Sequence, residues 1–132
     1  MYKFLVVVLL MFASTSCFAS DWIVLYIEDM GKTYYDKSSI TRHGNIVSVD
    51  FMTDYNNQRT DENGSYYSII SKYDWDCYHL TYNLMEPRQK KSDSMGRGKT
   101  VPNTEKDIRI VNAFPNMPFD KEDIVYKVFC IN

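Results

Sequence analysis

Beyond an N-terminal leader the chain keeps two cysteines, Cys77 and Cys130, 53 positions apart. Two cysteines allow one internal pairing, so a bond between them ties the middle of the chain to its end. The leader sets the redox compartment. MYKFLVVVLLMFASTSCFAS has a lysine at position 3, an apolar run from Phe4 to Ala13 and then small polar residues, the order of a signal peptide. That run is about half the length needed to cross a ~30 Å hydrocarbon core, so cleavage prevails over anchoring. Cys17 and Ala19 supply the small residues expected at the third and first positions before a cut after Ala19. The rival, lipidation of Cys17, lacks the usual leucine-like residue three positions earlier, where Ser14 stands. In an exported protein, thiols within reach are oxidised. Closing the Cys77–Cys130 loop is worth about 4 kcal/mol in chain entropy.

Removing the first 19 of 132 residues leaves 113, read as a single domain over 20–132. A chain of that size buries roughly two thirds of its unfolded surface. No later segment has the ~18 consecutive apolar residues of a membrane span. With Lys3 gone, 14 basic side chains face 17 acidic ones, a net of −3, which argues against nucleic-acid or membrane binding.

Turn residues divide the chain into short strands. Trp22 to Ile27 is β-branched and aromatic, and Asp29-Met30-Gly31-Lys32 turns it into a second strand over Thr33 to Asp36. After a turn at Arg42 to Asn45, residues 46–55 alternate, with Val47, Val49, Phe51 and Thr53 on the face expected to be buried. Asn56 to Ser65 reads as a polar hairpin loop, Tyr66 to Cys77 as a long returning strand, and Tyr78 to Met85 as another. Residues 86–105, with Pro87, Gly96, Gly98 and Pro102 among charges, read as a long mobile loop, and 108–114 as a short strand. Asp120 is placed as the N-cap of a last helix whose face is Ile124, Val125, Val128 and Phe129. Periodicity thus predicts an α+β domain, mostly β: an antiparallel meander with a C-terminal helix pinned by Cys130 to the strand carrying Cys77.

Candidate chemistry is sparse. His43 falls in a turn and His79 stands alone near Cys77, neither at metal-ligand spacing. Asp74 and Asp76 share a strand face, as an acid/base pair must, but fit a solvated face equally. Asp54, Asn56, Asp61 and Asn63 lack the glycine and distal glutamate of a calcium loop. Gly96-Arg97-Gly98-Lys99 lacks the preceding strand and following helix of a phosphate loop. With no triad and no ligand cluster, no cofactor or metal is implied and a non-enzyme is expected. Arg88, Lys90, Lys91, Arg97 and Lys99 oppose only Asp93 between positions 88 and 99, a local +4 suited to an acidic protein partner. Ten of the eleven tyrosines lie beyond the leader, and exposed strand tyrosines favour protein contact.

The series Trp22, Gly31, Tyr34-Tyr35-Asp36, Ser39-Ile40, Val47, Asp54-Tyr55, Tyr67-Ser68, Tyr73, Asp76-Cys77 and Cys130 resembles the surface-adhesin protein E-like domain of Gram-negative bacteria. The resemblance spans nearly the whole mature chain. It implies about six antiparallel strands with a C-terminal helix tethered by the disulfide. It also implies an adhesin-like function, since the founding adhesin binds host matrix and serum proteins such as vitronectin and laminin. A non-enzymatic binding module at the cell surface or in the periplasm is therefore expected, with a free sheet edge open to homodimer formation. The alternative is a periplasmic inhibitor or immunity protein that blocks a toxin or hydrolase.

Overall fold

The computed structural model describes residues 19–131. The leader expected over 1–19, Cys17 included, lies outside the described residues apart from Ala19. The fold is built on one hairpin, β4 (Ile46–Asp61) and β5 (Gly64–Asp76), paired antiparallel from Ile46↔Asp76 to Asp61↔Gly64. The polar stretch expected as a loop from Asn56 to Ser65 is instead mostly ladder, with a register shift between Asp54 and Arg59 and the turn confined to Glu62 and Asn63. A bulge there tolerates polar residues because one edge of the hairpin faces solvent.

Each long strand carries two shorter ones along its outer side. β4 pairs β2 (Gly31–Asp36) and, further along, β3 (Thr41–His43). β5 pairs β6 (Thr81–Leu84) and β7 (Gln89–Lys91). With β1 (Trp22–Glu28) on β2 and β9 (Met117–Pro118) on β6, the sheet runs β1-β2-β4-β5-β6-β9, and β8 (Thr100–Val101) pairs β7. A path of six strands thus carries three short ones beside it. The β1–β2 turn needs glycine: a Cβ on Gly31 would run into the Asp54 carbonyl oxygen of the adjacent strand.

The core lies on the face that alternation marks. Val47, Val49 and Phe51 are buried with Trp75, and Val125 and Phe129 from the chain end close over them. The chain end is helical from Ile124, with Tyr126–Cys130 wound as a π-helix. Asp120 caps a preceding turn by accepting from the Glu122 and Asp123 amides at 2.9 and 3.0 Å. The carboxylate nearest the helix start is that of Asp123, which accepts from the Val125 amide at 2.9 Å, so the cap sits three residues later than expected. Phe129 is fully buried, with its ring edge-on to Tyr35 and Phe51 at 5.0 and 5.8 Å. A single helical turn cannot hold itself together. It is fixed here by the Cys77–Cys130 disulfide, Cα to Cα 5.5 Å, and by Arg42, whose Nη1 donates to the Phe129 carbonyl at 2.6 Å.

Two expectations for residues 86–114 are corrected. The stretch read as a mobile loop contains the β7–β8 hairpin and a 3-10 turn, Ser94–Gly96, laid over the opposite face of the sheet. There Met52 and Ser68 are fully buried. Ser68 Oγ donates to the Asp93 carbonyl at 2.7 Å and accepts from the Gly96 amide at 2.9 Å, while Asp54 accepts from the Met95 amide at 2.9 Å. Gly96 has φ +71° and sits so close that a Cβ would approach Ile70 Cδ1 to 3.0 Å. Of residues 108–114, expected as a strand, 108–113 belong to helix α1 (Glu105–Ala113) and Phe114 is its C-cap. Thr104 and Asp107 form a reciprocal capping box, 3.2 Å from the Asp107 amide to Thr104 Oγ1 and 2.8 Å back. That local signal overrides the β propensity of Ile108, Ile110 and Val111.

Candidate functional site

The C-terminal helical turn covers one end of the inner sheet face and leaves the rest open. The uncovered part is a cleft of about 470 Å³. Its floor is Phe51, Thr53 and Tyr55 of β4 with Ile69, Tyr73 and Trp75 of β5; Tyr26, Tyr82, Phe119 and Asp123 form the sides. The aromatic rings lock one another. Trp75 stacks on Tyr82 at 4.6 Å and meets Phe119 edge-on at 5.1 Å, and Tyr73 contacts both Phe51 and Tyr82, at 5.5 and 5.9 Å. Such a wall presents large contact area with little side-chain entropy left to lose. Burial pushes the Tyr55 and Tyr82 phenols above the ordinary 10.0. Among the described residues one cation lines the cleft, Arg88, whose Nη2 donates to Tyr73 Oη at 3.0 Å.

The basic cluster of the sequence is divided by the fold. Arg88 lies in the cleft, while Lys90, next but one along the chain, is only 3% exposed. Its ammonium is paired with Asp61 at the end of β4 and with Asp107 of α1, the latter at 2.5 Å, and lies 5.6 Å from the Tyr66 ring. Burial opposes the Lys90 charge, but the two carboxylates outweigh it and raise the ammonium pKa above its ordinary value. Lys91 donates to Thr100 Oγ1 across the hairpin at 2.7 Å. Arg97 and Lys99 are exposed at the turn on the far face. The structure therefore does not bring the five together as one patch: Arg88 and Lys90 turn inward, Lys91 is half-buried, and Arg97 and Lys99 are exposed.

The remaining candidates have local partners. Asp74 accepts from Ser48 Oγ at 2.5 Å. Asp76 accepts from the His79 and Tyr78 amides at 2.9 and 3.0 Å and meets His79 Nδ1 at 2.8 Å. Those bonds, from the His79 amide first, hold its carboxyl below the ordinary value. His43 is exposed at the end of β3. Among the described residues no three metal-ligating side chains converge, and no helix is long and apolar enough to cross a membrane. The cleft itself was signalled only by the abundance of tyrosine, since its walls come from β1, β4, β5, β6 and the segment around Phe119. The family model described as surface-adhesin protein E matches residues 22–131. No curated protein matches the chain.

Proposed function

The chain belongs to the surface-adhesin protein E family, and on that premise we propose that it is a non-enzymatic binding module whose aromatic cleft takes a segment of a host matrix or serum protein. In this reading residues 1–19 are removed on export and residues 20–132 form one domain beyond the inner membrane. The observation that carries it is the cleft, about 470 Å³ walled by Tyr26, Tyr55, Tyr73, Tyr82 and Phe119. Preformed pockets of this kind, floored by rigid aromatic residues, are where binding energy concentrates in protein interfaces.

The test is surface-plasmon binding of the disulfide-intact protein to immobilised vitronectin and laminin. Tyr26→Ala and Tyr55→Ala should each weaken capture about tenfold or more, the loss typical of a central aromatic contact. Unchanged affinity in both variants removes the cleft from the interaction. A bacterial hydrolase or toxin that competes with the matrix protein for the cleft would assign it instead to the inhibitor or immunity-protein reading.

A further inference from the structure

Resting on the reading that the cleft takes a segment of a partner protein, we propose that Arg88 and Tyr73 form an anchor for a carboxylate on that segment. The cleft then selects an acidic side chain with an apolar neighbour. Lys90 provides the contrast. For that buried ammonium the chain supplies two carboxylates, Asp61 and Asp107. For the half-buried Arg88 guanidinium it supplies a phenol: the ion pairs formed among the described residues involve His79, Lys90, Arg109 and Lys127, not Arg88. Asp123, the acid that shares the cleft, commits one oxygen to the Val125 amide at 2.9 Å.

A guanidinium carries five N–H donors in a planar fork matched to a carboxylate. One of them goes to Tyr73 Oη at 3.0 Å. Because that phenol oxygen accepts from Arg88, its own proton is free to donate elsewhere. The remaining Arg88 N–H groups and the Tyr73 hydroxyl proton are thus left to donate from adjacent side chains, an arrangement an anion fills better than a neutral amide. Both residues also line an adjoining cavity of about 260 Å³, whose other walls are Tyr82, Leu84, Ile110, Phe114 and Met117. The anchor stands where the aromatic cleft meets a more apolar cavity, so the chemistry it fits is an acidic residue beside an apolar residue. Exposed Arg97 and Lys99 attract acidic partners over a distance but do not discriminate among them.

The experiment uses two blocked nine-residue peptides, each with leucine two positions from a central glutamate or glutamine and otherwise identical. Each is titrated into disulfide-intact, isotope-labelled protein and followed by amide shifts and the Trp75 indole resonance. The glutamate peptide should bind about tenfold tighter, and the preference should shrink with added salt. Arg88→Gln should erase the preference while leaving amide shifts outside the cleft in place. Arg88→Lys should keep part of it, and Tyr73→Phe should reduce it. Equal affinity of the two peptides, with cleft resonances moving, overturns the anchor and leaves the cleft reading standing. Shifts confined to the Arg97–Lys99 turn, or none in the cleft with either peptide, overturn both.

Discussion

Lys90→Met tests how α1 is held. The helix buries none of its residues, and its Ile108 is 54% exposed. Its polar tie to the hairpin is the Asp107 carboxylate on Lys90, which Asp61 shares. Methionine keeps most of the stem over Tyr66 and removes the ammonium. Stranding a fully buried acid costs 3–5 kcal/mol, but Asp61 and Asp107 retain 22% and 27% side-chain exposure and can rehydrate. The net loss should therefore be about 2 kcal/mol, that of losing charge-assisted hydrogen bonds. That energy corresponds to about thirtyfold faster opening, and it should appear as thirtyfold faster amide exchange from Asp107 to Ala113, with β4 and β5 little changed. Acid should act on the same tie. Asp61, chiefly through Lys90, and Asp107, where Lys90 and Thr104 outweigh burial, both have carboxyl groups held below the ordinary 3.8. Their stabilisation is present above that value and is lost as pH falls through the lower folded-state value. Wild type should therefore loosen α1 in that acid range, and Lys90→Met should show little of this response. The raised Lys90 contributes below 10.5 and is lost only in stronger alkali. Uniform acceleration across the sheet, or unchanged α1 exchange, would refute this account of the tie.

Replacing Cys77 and Cys130 by serine should cost about 4 kcal/mol in denaturant midpoint analysis, from the 53-residue loop it releases. Phe129→Ala should cost about 3–5 kcal/mol by the same assay, because a fully buried ring leaves a cavity that a disulfide-held turn cannot collapse to fill. Gly31→Ala should lower the melting temperature and shift the amides of Asp54 and Tyr55, because the added methyl meets the Asp54 carbonyl; an unshifted spectrum would show that β1 and β2 move apart freely.

What the sequence made legible was whatever a short window can encode. Alternation along Val47, Val49 and Phe51 named the buried face, and the cysteines named the tie between Asp76-Cys77 and the chain end. Residues 86–114 failed for two different reasons. Ile108, Ile110 and Val111 look β-like in isolation, and the Thr104–Asp107 capping box that decides for helix is spread over loop and helix. The polar residues around Asp93 looked solvated because the groups they bond, Ser68 and Asp54, lie 25 and 41 residues away in sequence. The same distance hid the fate of the basic cluster. Lys90 is spent on Asp61, 29 residues earlier, and Asp107, 17 later, so its charge is inward and neutralised although its neighbours in sequence mark it as free.

The open cleft follows from the shortness of the helical segment that ends at Cys130, after which Ile131 is extended. Val125 and Phe129 from this short segment cover Val47, Val49 and Phe51, and the inner face then continues uncovered past Tyr73 and Tyr82. A longer helix would bury those rings against its own side chains, as ordinary α+β packing does. Here the turn is too short to be stable alone, and the disulfide and Arg42 hold it over one end of the sheet. The bond therefore does more than staple a small core: it holds the helical segment whose Val125 lines the cleft, while Phe119 beside it is held next to β6 by its amide hydrogen bond to the Leu80 carbonyl at 3.0 Å. Because Cys130 ties that segment to the end of β5, the strand that also carries Tyr73 and Trp75, a covalent link joins the floor of the cleft to the Val125 side of its wall.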